Sequence, residues 1–267
     1  MALDLAPLCA DLANETAVLI GAIDTLPADG WLTPTPAEPW SVQDQIVHLS
    51  FFDNAVETAL TDPDRFRAER DETLRRPGSF IEAITTANRG RSGAEVLEWF
   101  TEARATMIQA FAHADQTMRV PWYGPDMSVA SALTARIMET WAHGQDVFDG
   151  LGLAHPVTSA LRQVAHIGVR TLPNSYVSNG LPVPAESVFV SLTAPDGTDW
   201  QWGDAAAANR VTAPAVDFCL VVTQRRHLAD TAVATEGAVA AEWMSIALAF
   251  AGGAGAGRRP GQFPRSS

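Results

Sequence analysis

The chain contains no lysine, so all 18 of its basic residues are arginine. Without an ε-amine there is nothing on which to form a Schiff base or to fill the lysine position of a P-loop. Pyridoxal chemistry, Schiff-base aldol chemistry and Walker-type nucleotide hydrolysis are therefore disfavoured. Cysteine is almost as scarce. Cys9 and Cys219 lie far apart with no CxxC partner, and are expected to be small buried residues or incidental thiols, not a disulfide. Positive charge is short as well: a formal net charge of -13 repels a phosphate backbone. The longest basic runs are arginine pairs such as Arg258-Arg259, so nucleic acid is not an expected partner. No uninterrupted apolar run reaches the ~20 residues that span a bilayer. The opening MALDLAPLCADL also lacks the basic-then-apolar order of a secretion signal. The expectation is a cytoplasmic protein that does not engage membranes.

What is present is an ordinary globular composition, 47% apolar and 18% charged over 267 residues, with room for two modest domains. From Leu3 to Leu26 the spacing of Leu5, Leu8, Leu12, Leu19, Ile23 and Leu26 is that of an amphipathic helix. A Pro/Gly-rich loop follows to Pro39. Ser41 with Asp44 then forms a capping box that opens a helix from Val42 to about Leu60. Residues 61–91 carry Asp-Pro, Arg-Arg-Pro-Gly and many charges, and read as a long crossover with at most a short helix. Ser92 with Glu95 opens a third helix that runs to His113. Ser128 caps a fourth, which Gly150 and Gly152 end. Four long helices with a crossover make an antiparallel bundle, expected over 1–155, in which cofactor sites are built from facing helices.

After Pro156 the character changes. One helix is expected near 158–172, then a two-strand hairpin in SVFVSLTAPDGTDWQWG, where Val188, Val190 and Leu192 alternate, as do Trp200 and Trp202. Pro214 suits the first turn of a helix over AVDFCLVVTQRRH, and a last helix covers 238–251. A small α+β domain over 156–252 and a flexible tail over 253–267 complete the expected α+β chain.

Chemistry concentrates on the fourth helix. Glu139 and His143 are four residues apart, so a carboxylate and an imidazole stack on one helical face, with Asp146 following on it. The same spacing also arises as a plain i,i+4 pair on a solvated helix. A third ligand from another helix would make it a metal site, and His48, on the second helix, can supply one. Alone, His48 reads equally as a core-edge histidine satisfied by a neighbour. Trp122 and Tyr123, in the loop before Ser128, either plug the bundle end or line a pocket.

The runs PWSVQDQIVHLSFFD and METWAHGQDVFDGLG together resemble the DinB-like metal-binding bundle of the mycothiol-dependent maleylpyruvate isomerase family. The resemblance implies that His48, Glu139 and His143 are ligands of a divalent metal, usually zinc. It further implies that the low-molecular-weight thiol mycothiol serves as nucleophile on a small organic electrophile, giving an isomerase or an S-transferase. Two imidazoles and one carboxylate leave an open metal position, as catalytic sites need. Asp44 and Asp146 are candidates for orienting His48 and His143. Trp122 and Tyr123 are the candidate cofactor contacts. A sterol-carrier-like α+β domain commonly follows in the family, and a C-terminal arginine is held to reach the metal pocket. Arg225 and Arg226 are the nearest match for that substrate clamp, or else simply favour a helix C-terminus. Two rival readings are a metal-dependent hydrolase without thiol, and a non-catalytic binding protein whose metal takes Asp146 or His113 as a fourth protein donor. Substrate, metal identity and oligomeric state are not legible.

Overall fold

The computed structural model describes residues 4–76, 78–250, 255 and 257–263. The chain divides into two compact units, 1–160 and 161–267.

In the first unit α1 (Ala6–Ile23) carries Pro7 in its first turn and buries Leu12, Glu15, Thr16, Leu19 and Ile23. It is long and apolar enough to pass for a membrane span, yet these side chains are bundle core. The N-cap of α2 (Val42–Thr61) closes as expected, since the Asp44 carboxylate accepts from the Ser41 N–H at 3.0 Å and the Ser41 hydroxyl accepts from the Asp44 N–H. Residues 61–91 are more helical than the sequence suggests. They form α3 (Pro63–Arg75), capped by Asp62, and α4 (Phe80–Asn88), capped by Ser79. α3 buries only Phe66 and is laced by i,i+4 pairs such as Arg65–Glu69 at 2.8 Å. It therefore has no apolar stripe to read. α5 (Gly93–His113) carries the second capping box. A two-residue ladder, β1 (Arg119–Val120) with β2 (Met127–Ser128), brackets the turn bearing Trp122 and Tyr123.

α6 (Val129–Leu151) ends at Gly152, whose φ of 68° is the left-handed cap that favours glycine. Gly150, expected as a terminator, lies inside the helix for another reason: a Cβ there would stand 2.9 Å from the Pro34 carbonyl oxygen. α2 packs on α5 and α6, and α1 packs on both of those. Buried among the four are Asp53, Arg104 and Arg136. Asp53 binds Arg104 Nε at 2.7 Å and Arg136 Nη2 at 2.8 Å, and Thr16 accepts from Arg104.

The first unit extends past the expected boundary at 155. Thr158 donates to Glu15 of α1, and Ala160 packs in the bundle core. The second unit opens with α7 (Leu161–Arg170) and α8 (Leu172–Ser178), two helices where one was expected. The hairpin is present as β3 (Val188–Thr193) and β4 (Asp199–Trp202), antiparallel with Leu192 opposite Trp200. Two strands escaped the sequence reading: β5 (Asn209–Pro214), which runs parallel to β3, and β6 (Ala234–Glu236). The sheet order is β4-β3-β5-β6. α9 (Ala215–Val222) follows Pro214 and stops before Gln224, which turns the chain with a φ of 60°. α10 (Ala238–Ile246) completes the unit. In the tail expected to be flexible, residues 253, 254, 256 and 264–267 lie outside the described residues. Of the rest, Gly261 donates to Asp230 at 2.9 Å and Phe263 lies under Arg226, 4.1 Å from ring centroid to guanidinium. The chain is α+β, as expected.

Candidate metal centre

Helical spacing on α2 and α6 aims His48, Glu139 and His143 at one point. Their donor atoms lie within 4.8 Å of one another, with His143 Nε2 at 3.1 Å and His48 Nε2 at 3.7 Å from Glu139 Oε2. Two donors each ~2.0–2.2 Å from a tetrahedral zinc stand roughly 3.3 Å apart. The separations found here bracket that value, so the donor set fits such an ion. Neither Asp146 nor His113 adds an atom to this cluster. Glu139 keeps 22% of its side-chain surface exposed, which leaves an approach from solvent.

Electrostatics reinforce the arrangement. Burial, aided by the neighbouring His143, pushes the His48 imidazole down to about 3, against the pull of Glu139. It is therefore neutral and carries a free lone pair at physiological pH, as a ligand requires. Burial acts to raise the Glu139 carboxyl, but the facing imidazoles of His143 and His48, as hydrogen-bond donors and as charges when protonated, overturn that and hold it well below its usual range. A carboxylate facing two imidazoles is a cation-binding set.

The surroundings fix the rings. His48 stands 4.3 Å from His143, 5.2 Å from Trp40 and 4.7 Å from Phe52, centroid to centroid. Trp40 also stacks on His143 at 5.8 Å and 19°. His143 Nδ1 donates to Gln45 Oε1 at 2.5 Å, and Gln45 Nε2 donates to Thr35 Oγ1 at 2.9 Å.

Of the two acids expected to orient the histidines, Asp44 has its carboxylate engaged elsewhere: it serves the cap of α2 and meets Arg89 at 3.3 Å. Asp146 is buried, but both ring nitrogens of His143 already face Gln45 and Glu139. Gln45, one turn before His48 on the same face, is the residue that sequence reasoning passed over. An uncharged amide carries no ligand signature, and its position beside His48 was its one legible signal.

Trp122 stacks on Phe66 at 5.8 Å and 2°, Tyr123 stacks on Phe80 at 5.1 Å and 19°, and both touch Phe52. They adjoin His48 through Phe52, and burial raises the Tyr123 phenol to about 12. His113 is exposed, with Nδ1 on the Gln109 carbonyl. In the second unit, Arg225 is buried with Nη1 on the Thr223 carbonyl at 2.6 Å, and the half-buried Arg226 reaches the Arg225 carbonyl at 2.7 Å.

Comparison with known proteins bears on the whole chain. Two uncharacterized proteins of Mycobacterium tuberculosis are each 42% identical over 255 residues, spanning 96% of this chain and 99% of theirs. Two crystal structures of mycothiol-dependent maleylpyruvate isomerase, one of them of a mutant, share the fold. Their TM-scores are 0.56 and 0.55 at 14% and 16% identity, over 87% of this chain and 93% of theirs. A family model described as wyosine base formation matches residues 184–236, in the second unit. The model of the mycothiol maleylpyruvate isomerase N-terminal domain matches residues 12–148, just over half the chain and nearly all of the bundle. On that match the chain belongs to the mycothiol maleylpyruvate isomerase N-terminal domain family.

Proposed function

We propose that this protein is a divalent-metal-dependent enzyme, with zinc the first choice, that uses mycothiol as the nucleophile in an isomerisation or S-transfer on a small organic electrophile. The observation that carries the reading is the convergence of His48, Glu139 and His143 with donor separations of 3.1 and 3.7 Å. A metal held there would supply Lewis acidity that favours the thiolate form of a thiol. His48 and His143 contribute lone pairs, and Glu139 contributes the negative charge that balances the ion. Trp40 and Phe52 exclude water from the histidine side, which strengthens every charge interaction in the site. Trp122 and Tyr123, one ring further out, are assigned to contacts with the thiol cofactor. Arg225 and Arg226 are assigned to an anionic group of the substrate, because a guanidinium fork grips a carboxylate in two parallel hydrogen bonds. A cytoplasmic setting suits a cofactor that must stay reduced, and Cys9 and Cys219 are free.

The test is mass spectrometry of reactions between zinc-loaded protein and candidate electrophiles, with and without mycothiol. Thiol-dependent turnover or adduct formation supports the reading. Turnover that is indifferent to the thiol would favour metal-dependent hydrolysis instead.

A further inference from the structure

We propose that Gln45, locked in orientation by Thr35, is a positioning residue that dictates which nitrogen of His143 faces the metal centre. The inference rests on the metal-site reading above.

The assignment follows from counting hydrogens outward from a group that can only accept. The Trp40 carbonyl receives the Thr35 N–H and the Thr35 hydroxyl, each at 2.8 Å. The hydroxyl hydrogen is thereby spent, and Thr35 Oγ1 is left as an acceptor. The end of the Gln45 amide that meets it at 2.9 Å must be the NH2 group. The other end, Oε1, then faces His143 Nδ1 at 2.5 Å. A carbonyl oxygen brings no hydrogen, so Nδ1 must carry one. In a neutral ring Nε2 then carries no hydrogen, and because Glu139 Oε2, 3.1 Å away, is also an acceptor, the two face each other favourably only across a cation. A neutral imidazole has two tautomers, and this relay selects the one a metal at Glu139 needs. Gln45 is fully buried and Thr35 is 4% exposed, so water does not compete for these bonds.

The relay is also held mechanically. Thr35 sits in a loop closed by a bridge between Pro34 and Ser41 and by the Val42 N–H on the Thr33 carbonyl at 3.0 Å. The same loop lays the Trp40 indole against His143. It approaches α6 closely because Gly150 has no Cβ, which would otherwise stand 2.9 Å from the Pro34 oxygen. Thus one short segment sets the amide, the tautomer and the ring plane.

Zinc affinity, measured on the full chain by competition with a chromophoric chelator, tests this. Gln45→Leu removes the acceptor and is expected to weaken binding ~10–100-fold, the usual effect of losing a partner behind a ligand histidine. Gln45→Glu keeps an oxygen opposite Nδ1, and Thr35 can turn its hydroxyl hydrogen toward the carboxylate, so most of the affinity should return. Equal affinity in wild type and Gln45→Leu would overturn the inference and leave the metal reading standing. A wild type that binds no zinc would end the metal reading, and this inference with it. Nitrogen-15 spectra of the zinc-loaded wild type need no substitution: a hydrogen on His143 Nδ1 is expected, and one on Nε2 would overturn the assignment.

Discussion

Asp53 offers the sharpest test of how the bundle is held together around the site. Its two oxygens accept from Arg104 Nε at 2.7 Å and Nη2 at 3.4 Å, and from Arg136 Nε at 3.1 Å and Nη2 at 2.8 Å. All three side chains are at most 3% exposed. Burial already pushes the Arg104 guanidinium down, with Asp53 the main opposing charge. Asp53→Ala strands two guanidiniums in the interior, and breaking a buried pair in this way costs about 3–5 kcal/mol. For a unit of this size each kcal/mol moves the melting temperature by about 2–4 °C, so the transition of the N-terminal unit should fall by roughly 6–20 °C. Replacing the whole cluster with apolar residues, as in Asp53→Leu with Arg104→Met and Arg136→Met, should recover most of that loss, because no charge is then left unpaired. Calorimetry and urea denaturation of the full chain measure both. A loss below about 1 kcal/mol in Asp53→Ala would refute the claim that this cluster is desolvated and mutually dependent.

Two further outcomes are expected. The Ser92 backbone N–H, and after it the Ser92 hydroxyl, hold the Glu95 carboxyl below its ordinary value of 4.5, and Ser92→Ala removes the hydroxyl alone. A carboxyl depressed by folding stabilises above its unfolded value and ceases to as pH falls through the folded one. The urea midpoint of the variant should therefore lie below wild type at pH 7, and the gap should narrow as pH drops below 4.5 without closing, because the Ser92 hydroxyl also accepts from the Glu95 N–H at any pH; a gap that widened on acidification would contradict this. Arg226→Ala and Arg225→Ala, singly and together, should leave zinc content unchanged. At least one should lower thiol-dependent turnover by a factor on the order of 10 or more, since hydrogen bonds to charged groups are worth ~1.5–3 kcal/mol. Unaltered turnover in all three variants would remove the second unit from the reaction.

The long bundle helices were legible because each carries an apolar stripe and a punctuating residue: Ser41 with Asp44, Ser92 with Glu95, and Ser128 with Gly152. α3 was not, because its sequence PDRFRAERDETLR supports a helix through charge pairs and one buried phenylalanine. β5 was hidden for a different reason. It is six residues long, and its partner β3 lies parallel to it across an intervening strand in the sequence, so no local hairpin signal exists. The three residues of the candidate centre could be assembled from spacing and resemblance, because ligand chemistry narrows residue type. What stands behind them could not. Asp44 and Asp146 looked suitable by charge and helical offset, yet the cap of α2 uses one, and the loop around Thr35 brings Gln45 to His143 instead. That outcome depends on how closely the Pro34 carbonyl can approach Gly150, a distance set by tertiary packing.

The central claim is that His48, Glu139 and His143 hold a divalent metal. The most direct measurement is elemental analysis of protein purified without added metal, beside His48→Ala, Glu139→Ala and His143→Ala, each checked for fold by circular dichroism. The account predicts close to one metal ion per wild-type chain and loss of the ion in all three variants with the helical signal intact, because the ligands sit on helices whose apolar faces are already packed. Full occupancy in the variants, or a wild type that takes up no divalent metal when it is offered, would contradict it.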